Sequence, residues 1–389
     1  MLKLPDYIGP LAFGVKMGVI LPGTDLLSEI VAALKKVAAD GLLADSDVIC
    51  VTESVVARAQ ENYVTLDQVA AEVKNKLKIE KNSKVGVVFP IASRNRFAMV
   101  LEGIAKAVPE GEVIVQLSYP CDEVGNQVIS PYLAEKLTPA GGIIALSELT
   151  PDHCLHPVTK VNYPVMYQEI IEGQGAKANI IFANDPLAVL QSDPDGVIVA
   201  DIHNRRQTQQ KLLSHFANVI TLQDLCNEGK YSSEWGLLGS NMSAGDKLKL
   251  APQNADGFAK DLQQQVLAAT GKQVEVLVYG DGAYKDPSTG IYELADPMPV
   301  FGKTDGFHGR FREGIKYKYL ADVCYEEGKS REEIEAALAE QNLAALPDDL
   351  ELTEGTTPRR IEDVIASLAD LVSGSADAGT PVIVVKGFL

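Results

Sequence analysis

The stretch QVEVLVYGDGAYKDPSTG, residues 273–290, is an apolar segment that runs directly into glycines, aspartates and a lysine. Val274, Val276 and Val278 alternate in the way that residues on one face of a β-strand do. Binding and catalytic groups often follow a buried strand, and aspartate and glycine are also the usual residues of turns. Two interpretations are therefore open: a tight surface turn, or a strand-end site for a metal ion and a phosphate chain.

The polar half of this stretch and the residues after it are rich in carboxylates, which suit Mg²⁺ or Mn²⁺. Glycines at 280 and 282 let a ligand approach the backbone closely, and Lys285 offers a positive charge to a phosphate. We interpret three acidic residues as candidate metal ligands, with a solvated acidic turn as the alternative on spacing alone. They are Asp281, Asp286 and Glu293.

A second polar cluster is GSNMSAGD, residues 239–246. Its side chains and backbone N–H groups suit a phosphate or a metal ion, so Ser240 and Asn241 are candidate ligand-binding residues and Asn241 is also a candidate metal ligand. An Asx or serine turn is the structural alternative.

Two more polar stretches follow predicted strands. PIASRNRF, residues 90–97, is predicted to open a helix capped by Ser93, which makes Arg94 and Arg96 a candidate anion site. A capped helix with exposed arginines is the alternative. DIHNRR, residues 201–206, is predicted to line the cleft where open α/β sheets bind ligands, or else to be the loop that starts a helix.

Composition narrows the class of protein. The 389 residues include 35 Lys and Arg against 53 Asp and Glu, a net charge of −18, which disfavours non-specific binding of nucleic acid or anionic membranes. The five cysteines contain no CxxC pair, and no apolar run is long enough to cross a bilayer. We therefore expect a cytoplasmic protein with reduced thiols that binds neither nucleic acid nor membrane.

The pattern of apolar segments predicts two units. From residue 85 to 228, short strands such as VGVVFPI, GGIIALSEL and GVIVADI alternate with helical stretches, which is typical of a doubly wound, parallel sheet. The flanking blocks, 1–84 and 229–389, are predicted to fold together. They contain a predicted helix over Leu26–Ala39, capped by Thr24 or Asp25, and a predicted strand over Val48–Thr52. The predicted fold class is therefore an α+β core with an inserted α/β, Rossmann-like domain.

The flanking blocks resemble the coenzyme F420-0:L-glutamate ligase family. The resemblance covers about residues 15–70 and 235–389 and rests on the order and spacing of several segments. The segments are GVILPGTDLLSEI (18–30), SDVICVTESVVARAQ (46–60), the run from GSNMSAGD to VLVYGD (239–281), GRFREGIKYKYLADV (309–323) and GTPVIVVKGF (379–388).

The resemblance implies an intertwined α+β homodimer that uses GTP, or ATP, with Mg²⁺ or Mn²⁺. It also implies an acyl phosphate on a substrate carboxylate, which the amine of L-glutamate then attacks. Asp281 corresponds to the family's strand-end aspartate, Ser240 and Asn241 to its Ser-Asn pair, and Arg58 to the lysine of its Ser-Lys-Ala-Glu-Gly-Arg turn. Asp281 and Arg58 are thus the candidate catalytic residues.

The chain departs from the family pattern at three anchors: Leu238 replaces an aspartate, Gln60 a glutamate, and Ser375 lies where the family has an acidic residue. Three functions stay open for this reason. They are glutamylation of an F420-0-like carboxylate, glutamylation of a folate-type acceptor, and binding of a nucleotide or metabolite without catalysis. A dehydrogenase is disfavoured because the glycine fingerprint of dinucleotide sites is missing.

Overall fold

The computed structural model describes residues 8–136, 142–280, 284–285, 292–293, 297–312, 316–344, 359–373 and 379–389. The α-helices of these ranges are α1 Leu26–Ala39, α2 Glu53–Ala59, α3 Leu66–Leu77, α4 Phe97–Ala107, α5 Pro131–Lys136, α6 Tyr163–Gly173, α7 Arg205–Leu213, α8 Ala255–Thr270, α9 Tyr317–Glu326, α10 Arg331–Ala344 and α11 Ile361–Ser373.

The strands follow the same numbering in chain order. They are β1 Leu11–Val15, β2 Val48–Thr52, β3 Tyr63–Thr65, β4 Lys84–Val88, β5 Glu112–Leu117, β6 Ile144–Ala145, β7 Lys177–Phe182, β8 Gly196–Val199, β9 Val219–Thr221, β10 Asn241–Met242, β11 Lys247–Lys249, β12 Glu275–Tyr279, β13 Tyr284–Lys285, β14 Tyr292–Glu293, β15 Val300–Lys303, β16 Phe311–Arg312, β17 Arg359–Arg360 and β18 Val382–Lys386.

A five-stranded sheet, in the order β1-β18-β2-β12-β15, is built from the two ends of the chain. Its central strands β2 and β12 are parallel, whereas β18 runs antiparallel to β2. The strands are apolar on both faces because helices cover both. On β12, Val276 and Val278 pack with α1 and α8, while Leu277 and Tyr279 pack with α11.

A six-stranded sheet, in the order β6-β7-β5-β4-β8-β9, is built entirely from residues 84–221. Strands β4, β5, β7, β8 and β9 are parallel, and the two-residue edge strand β6 is antiparallel to β7. Apolar clusters lie on both faces, so this sheet too is the middle of three layers.

Helix α3 precedes the first strand of the six-stranded sheet, yet its apolar face belongs to that sheet's core. Val69, Val73 and Leu77 are fully buried in the same cluster as Val85 and Val113. Gly103 of α4 makes this approach possible, because a Cβ there would lie only 2.6 Å from a methyl of Val69. The packing unit of the six-stranded sheet therefore begins before residue 85.

A third sheet, β10-β11-β3, has three antiparallel strands and joins the two larger sheets. In the sequence, β3 lies between β2 and β4, and β10 and β11 lie between β9 and β12. Its inward residues Val64 and Leu248 are buried in the core of the six-stranded sheet. Asn62, which is 1% exposed, donates its amide N–H groups to the carbonyls of Ser232 and Ala251. These contacts fix the start of β3 against the segment that leads into β10.

Several local predictions are confirmed. The strand Val48–Thr52 and the helix Leu26–Ala39 lie where the sequence predicts them, and Asp25 caps that helix by accepting from Ser28. Mixed α/β architecture is confirmed as well. Among the residues that the structure describes, none of the helices combines the length and the apolar character needed to span a bilayer.

Two local predictions are wrong. The helix predicted to be capped by Ser93 begins only at Phe97, and the Ser93 hydroxyl instead accepts from Arg96 N within the preceding turn. The stretch GGIIALSEL contributes only Ile144–Ala145 as a strand, antiparallel rather than parallel, before a 3₁₀ turn over Leu146–Glu148. A two-residue antiparallel strand and a turn therefore replace the expected third parallel strand.

Candidate functional site

A cavity of about 1170 Å³ lies against the three-stranded sheet. Its walls come from α2, β3, the start of α3, the β10–β11 hairpin and the loop before α4. The lining residues are Pro22, Ser54, Arg58, Glu61, Tyr63, Thr65, Gln68, Asn95, Tyr231, Asn241, Met242, Ser243, Ala244, Lys247 and Lys249.

One wall of the cavity is a face of the three-stranded sheet. Asn241, Lys249 and Tyr63 lie opposite one another across the three strands, and Lys247 lies opposite Thr65 in the neighbouring row. Residues two apart on a strand share a face, so Lys247 and Lys249 both face the cavity while Leu248 between them is buried. This register collects one amide, two ammonium groups and a phenol on one surface.

Lys249 is held by a buried ion pair at this wall. Its Nζ lies 2.8 Å from both carboxylate oxygens of Glu53, and each of the two residues is 8% exposed. Glu53 is the first residue of α2, directly after β2. An ion pair out of water is stable only with good geometry, and this bidentate contact fixes the ammonium group relative to the end of β2.

Helix α2 adds Arg58 and Ser54 to the cavity, and Glu61 follows the helix. Since Glu53 already neutralises Lys249, the remaining charges of the described lining are Arg58, Lys247 and Glu61, a small positive excess in a chain of net charge −18. Burial raises the pKa of the Tyr63 phenol, which the charge of Arg58 partly opposes. Tyr63 is thus a neutral hydrogen-bond donor at neutral pH, and the cavity suits an anion.

The six-stranded sheet also contributes to the cavity. Asn95, in the loop between β4 and α4, lines it, and the backbone carbonyl of Asn95 accepts from Met242 N at 2.8 Å. The loop at the carboxyl end of β4 is therefore attached to the β10–β11 hairpin that carries Asn241.

The carboxyl ends of β2 and β12 lie side by side, at the end of the five-stranded sheet from which α2 leads into the cavity wall. In the parallel pairing, Tyr279 lies opposite Thr52. Glu53 and Ser54 follow Thr52 into the cavity region, and Gly280 follows Tyr279, with its N–H donated to Pro299 O at 3.0 Å. The chain thus leaves β12 beside the strand end that holds Lys249.

The predicted site residues divide between three places. Arg58 and Asn241 line the large cavity together. Ser240 lies on the other side of the wall, 1% exposed, with its hydroxyl donated to Leu237 O at 2.7 Å. Arg96 and Ser240 border a much smaller cavity of about 20 Å³, and Arg94 is exposed and lines neither cavity.

The remaining candidates fall in or next to the segment after Gly280. Asp281 and Asp286 lie outside the described residues. Lys285 and Glu293 belong to the short pair β13–β14, in which Tyr284 is opposite Glu293 and Lys285 opposite Tyr292. Within the described ranges, no three acidic, histidine or cysteine side chains are grouped so that they could hold a metal ion.

Sequence reasoning missed Lys247, Lys249 and Glu53. The signal for the two lysines is the spacing of KLK in a segment too short to be recognised as a strand, which places both on one face. Glu53 gives no local signal, because its partner is 196 residues away.

The fold and the cavity define a mixed α/β protein with a cationic, ligand-sized cavity at the edge of two parallel strands. Residues 14–387 match the model of the F420-0:Gamma-glutamyl ligase family, and the chain belongs to this family. No curated protein matches the chain significantly. Family membership supports the ligation of glutamate as the general activity.

Proposed function

We propose that the large cavity is the active site of a nucleotide- and divalent-metal-dependent ligase. The enzyme joins L-glutamate through an amide bond to a carboxylate acceptor of the F420-0 type. The observation that carries the proposal is the cavity wall on which Asn241, Lys247 and Lys249 face the same space as Arg58. An acidic chain that concentrates ammonium and guanidinium groups in one cavity has a binding site for an anion there.

The size of the cavity supports a substrate larger than glutamate alone. Small-molecule sites usually enclose about 300–1,000 Å³, and this cavity, about 1170 Å³, lies just above that range. Tyr63, Tyr231 and Met242 give it an aromatic and apolar portion beside its cations. A phosphorylated nucleotide and an acidic acceptor with a planar ring both match this combination of surfaces.

A divalent cation fits the cavity only in part through its described residues. Asn241 provides a neutral oxygen donor and the exposed Glu61 one carboxylate, whereas Glu53 is engaged by Lys249. We propose that Asp281, which follows Gly280 in the sequence, supplies a further carboxylate, with Asp286 or Glu293 as additional ligands. When bound, Mg²⁺ or Mn²⁺ would neutralise phosphate charge.

The residues of the cavity have separate roles in the proposed reaction. An acceptor carboxylate oxygen attacks the terminal phosphorus of GTP or ATP and releases the nucleoside diphosphate. The glutamate amine then attacks the acyl phosphate carbon, loses a proton and expels phosphate. Arg58 and Lys247 stabilise the charge of the transferring phosphoryl group, and Lys249, fixed by Glu53, orients an anionic oxygen.

We further propose that residues 85–228 form an inserted unit of Rossmann-like, doubly wound topology. The order β7-β5-β4-β8-β9 supports this, because the chain first builds outward on one side of β4 and then on the other. The flanking blocks would form the ligase core. Helix α3, from the flanking block, packs on this unit.

The association state and location complete the proposal. We propose that the protein is a homodimer. A light-scattering mass equal to that of a single chain over a wide concentration range would contradict this. The five cysteines are free thiols, four of them buried, which supports a reducing compartment such as the cytoplasm.

The proposal is tested by incubating the purified protein with isotope-labelled L-glutamate, GTP or ATP, Mn²⁺ and candidate acceptors. We expect mass spectrometry to find a product heavier by one labelled glutamyl residue, with release of nucleoside diphosphate in equal amount. A folate-type acceptor is distinguished in the same assay by the identity of the labelled product. Nucleotide binding without labelled product, across acceptors and cell extract, would instead make the chain a binding protein.

A further inference from the structure

The six-stranded sheet has a crevice where a ligand is expected. Along the chain, β4 is followed by β5 and β7 on one side, and β8 and β9 are then added on the other side of β4. Open α/β sheets bind ligands outside the carboxyl ends of the strands at such a reversal of strand order. The crevice lies between the loops that follow β4 and β8.

The crevice is filled by the chain itself. A 3₁₀ turn, Gly236–Gly239, brings Leu237 and Leu238 into it, and the two side chains are 2% and 4% exposed. They border the same residual space as Ile91 and Phe97 from the β4 side and Ala200 and Ile202 from the β8 side. That space is about 20 Å³, room for roughly one water molecule and not for a nucleotide.

The backbone of this turn is fixed by its neighbours. Leu237 N donates to Leu225 O at 3.0 Å, and Gly236 has a φ of +51°. A Cβ at Gly236 would lie 2.3 Å from Leu225 O and 2.5 Å from Gln223 O, so only glycine fits there. The Ser240 hydroxyl closes the turn by donating to Leu237 O.

The turn leads directly into the wall of the large cavity. Strand β10 begins at Asn241, the residue opposite Lys249, and Met242 N donates to Asn95 O at 2.8 Å. The position of Asn241 is thus determined on both sides by the six-stranded sheet: by the leucines in the crevice and by the loop that carries Asn95.

We propose that Leu237 and Leu238 are positioning residues and that the crevice is a socket for them. Through this socket the six-stranded sheet fixes β10, and with it Asn241 and Lys249, in the cavity. The sheet therefore acts on the cavity by packing, and the crevice itself has no room for a nucleotide. The consequence for catalysis rests on the proposed function, whereas the mechanical coupling does not.

The test compares Leu238→Ala with Leu212→Ala. Leu212 is also a fully buried leucine, but it lies on α7 and packs on the opposite face of the same sheet with Val88 and Val199, away from the crevice. Both truncations remove the same atoms from a core, so both lower global stability. Hydrogen exchange of the Met242 amide is then measured by NMR or by peptide mass spectrometry, under conditions in which both variants are folded.

We expect Leu238→Ala to speed exchange at Met242 about 10-fold more than Leu212→Ala does, because local opening follows the loss of nearby packing. Leu238→Met, which conserves volume, should restore protection. Equal exchange at Met242 in the two alanine variants would overturn the proposal. If Leu238→Ala does not fold, Leu238→Val is compared with Leu212→Val by the same measurement.

Trp235 provides a second readout, since it is the only tryptophan of the chain and packs against the cores of both large sheets. Its ring meets Phe301 edge-to-face with centroids 6.2 Å apart. We expect a red-shifted emission in Leu238→Ala and an unchanged one in Leu212→Ala. If the variants show the expected differences in exchange and emission but the wild-type protein has no ligation activity, the proposed function is rejected and the socket proposal stands.

Discussion

Asp281 is the residue on which the proposed metal chemistry depends. The described carboxylates near the cavity are Glu61, on its rim, and Glu53, which is bound to Lys249. Tyr279 ends β12 opposite Thr52 of β2, and Gly280 follows it at the strand end from which Glu53 and Ser54 enter the cavity region. A hard, anionic oxygen at that point is what a divalent cation and a phosphate chain require.

Asp281→Asn should weaken Mn²⁺ binding about 10-fold or more, because it removes one anionic donor from the cation. Folding should change by less than ~0.5 kcal/mol, as is usual for a substitution outside the core. Asp286→Asn is the matched control, for which we expect a smaller loss. Calorimetric titration of Mn²⁺ into the three proteins measures these affinities. Equal affinity of wild type and Asp281→Asn would favour the alternative interpretation of residues 273–290 as a solvated turn.

The presence of a leucine at position 238 also has a physical explanation. It departs from the aspartate of the resembled family, but here it lies in an apolar crevice at 4% exposure, where a carboxylate would lose its hydration. Gln60 is likewise engaged: its amide exchanges two hydrogen bonds with the backbone of Gln253. Both departures therefore contribute to the junction between the sheets.

Asp201, two residues after the end of β8, is a buried acid. Asp201 is 2% exposed; one carboxylate oxygen accepts from Thr208 of α7 at 2.7 Å, and the other has no hydrogen-bond partner. Burial raises its pKa from 3.8 to about 6, and the charge of Glu123 adds to the rise while Thr208 and Arg205 oppose it. The folded state therefore favours the protonated acid.

The sign of the resulting pH dependence follows from this shift. Between pH 3.8 and about 6 the folded state holds a proton that the unfolded state has released, so stability falls as pH rises through that window. Asp201→Asn removes the ionisation and should stabilise the protein by up to about 3 kcal/mol near pH 8. Near pH 4 the difference should shrink towards zero. Urea unfolding at both pH values measures it, and a pH-independent difference would contradict the assignment.

The elements differ in how far the sequence predicts them. Long, periodic or capped segments such as α1 and β2 are predictable, because cap and period lie within the segment. The three-stranded sheet is not, since β10 has two residues and β3 and β11 have three each, and pairing across the chain defines them. The cavity wall is built on these short strands. Its strand-borne lysines therefore give no signal in the sequence, whereas the family motifs point to Arg58 and Asn241, which line the same cavity.

At the scale of the whole molecule, the core of the six-stranded sheet includes side chains from both flanking blocks. Val69, Val73 and Leu77 of α3 and the leucines of the Gly236–Gly239 turn are buried in the core of the six-stranded sheet. Each fully buried Val or Leu contributes about 1.5–3 kcal/mol. A fragment without these residues loses a large part of its core.

A fragment of residues 66–239 should therefore unfold cooperatively in urea, whereas residues 85–228 alone should be much less stable and expose apolar surface. Circular dichroism and binding of a hydrophobic dye to the two fragments compare them. Equal stability of the two fragments would show that residues 85–228 fold without α3 and the leucine turn.

The central claim is that the large cavity performs the ligation, and the most direct measurement is the labelled-glutamate assay on cavity variants. Lys247→Ala and Arg58→Ala each remove a cation from the cavity, and Lys260→Ala removes an exposed lysine of α8 that pairs with Asp305 away from it. We predict that each cavity variant loses about 10²-fold or more in turnover of labelled glutamate, with Lys260→Ala close to wild type. Undiminished turnover in both cavity variants would contradict the account and place the chemistry elsewhere in the molecule.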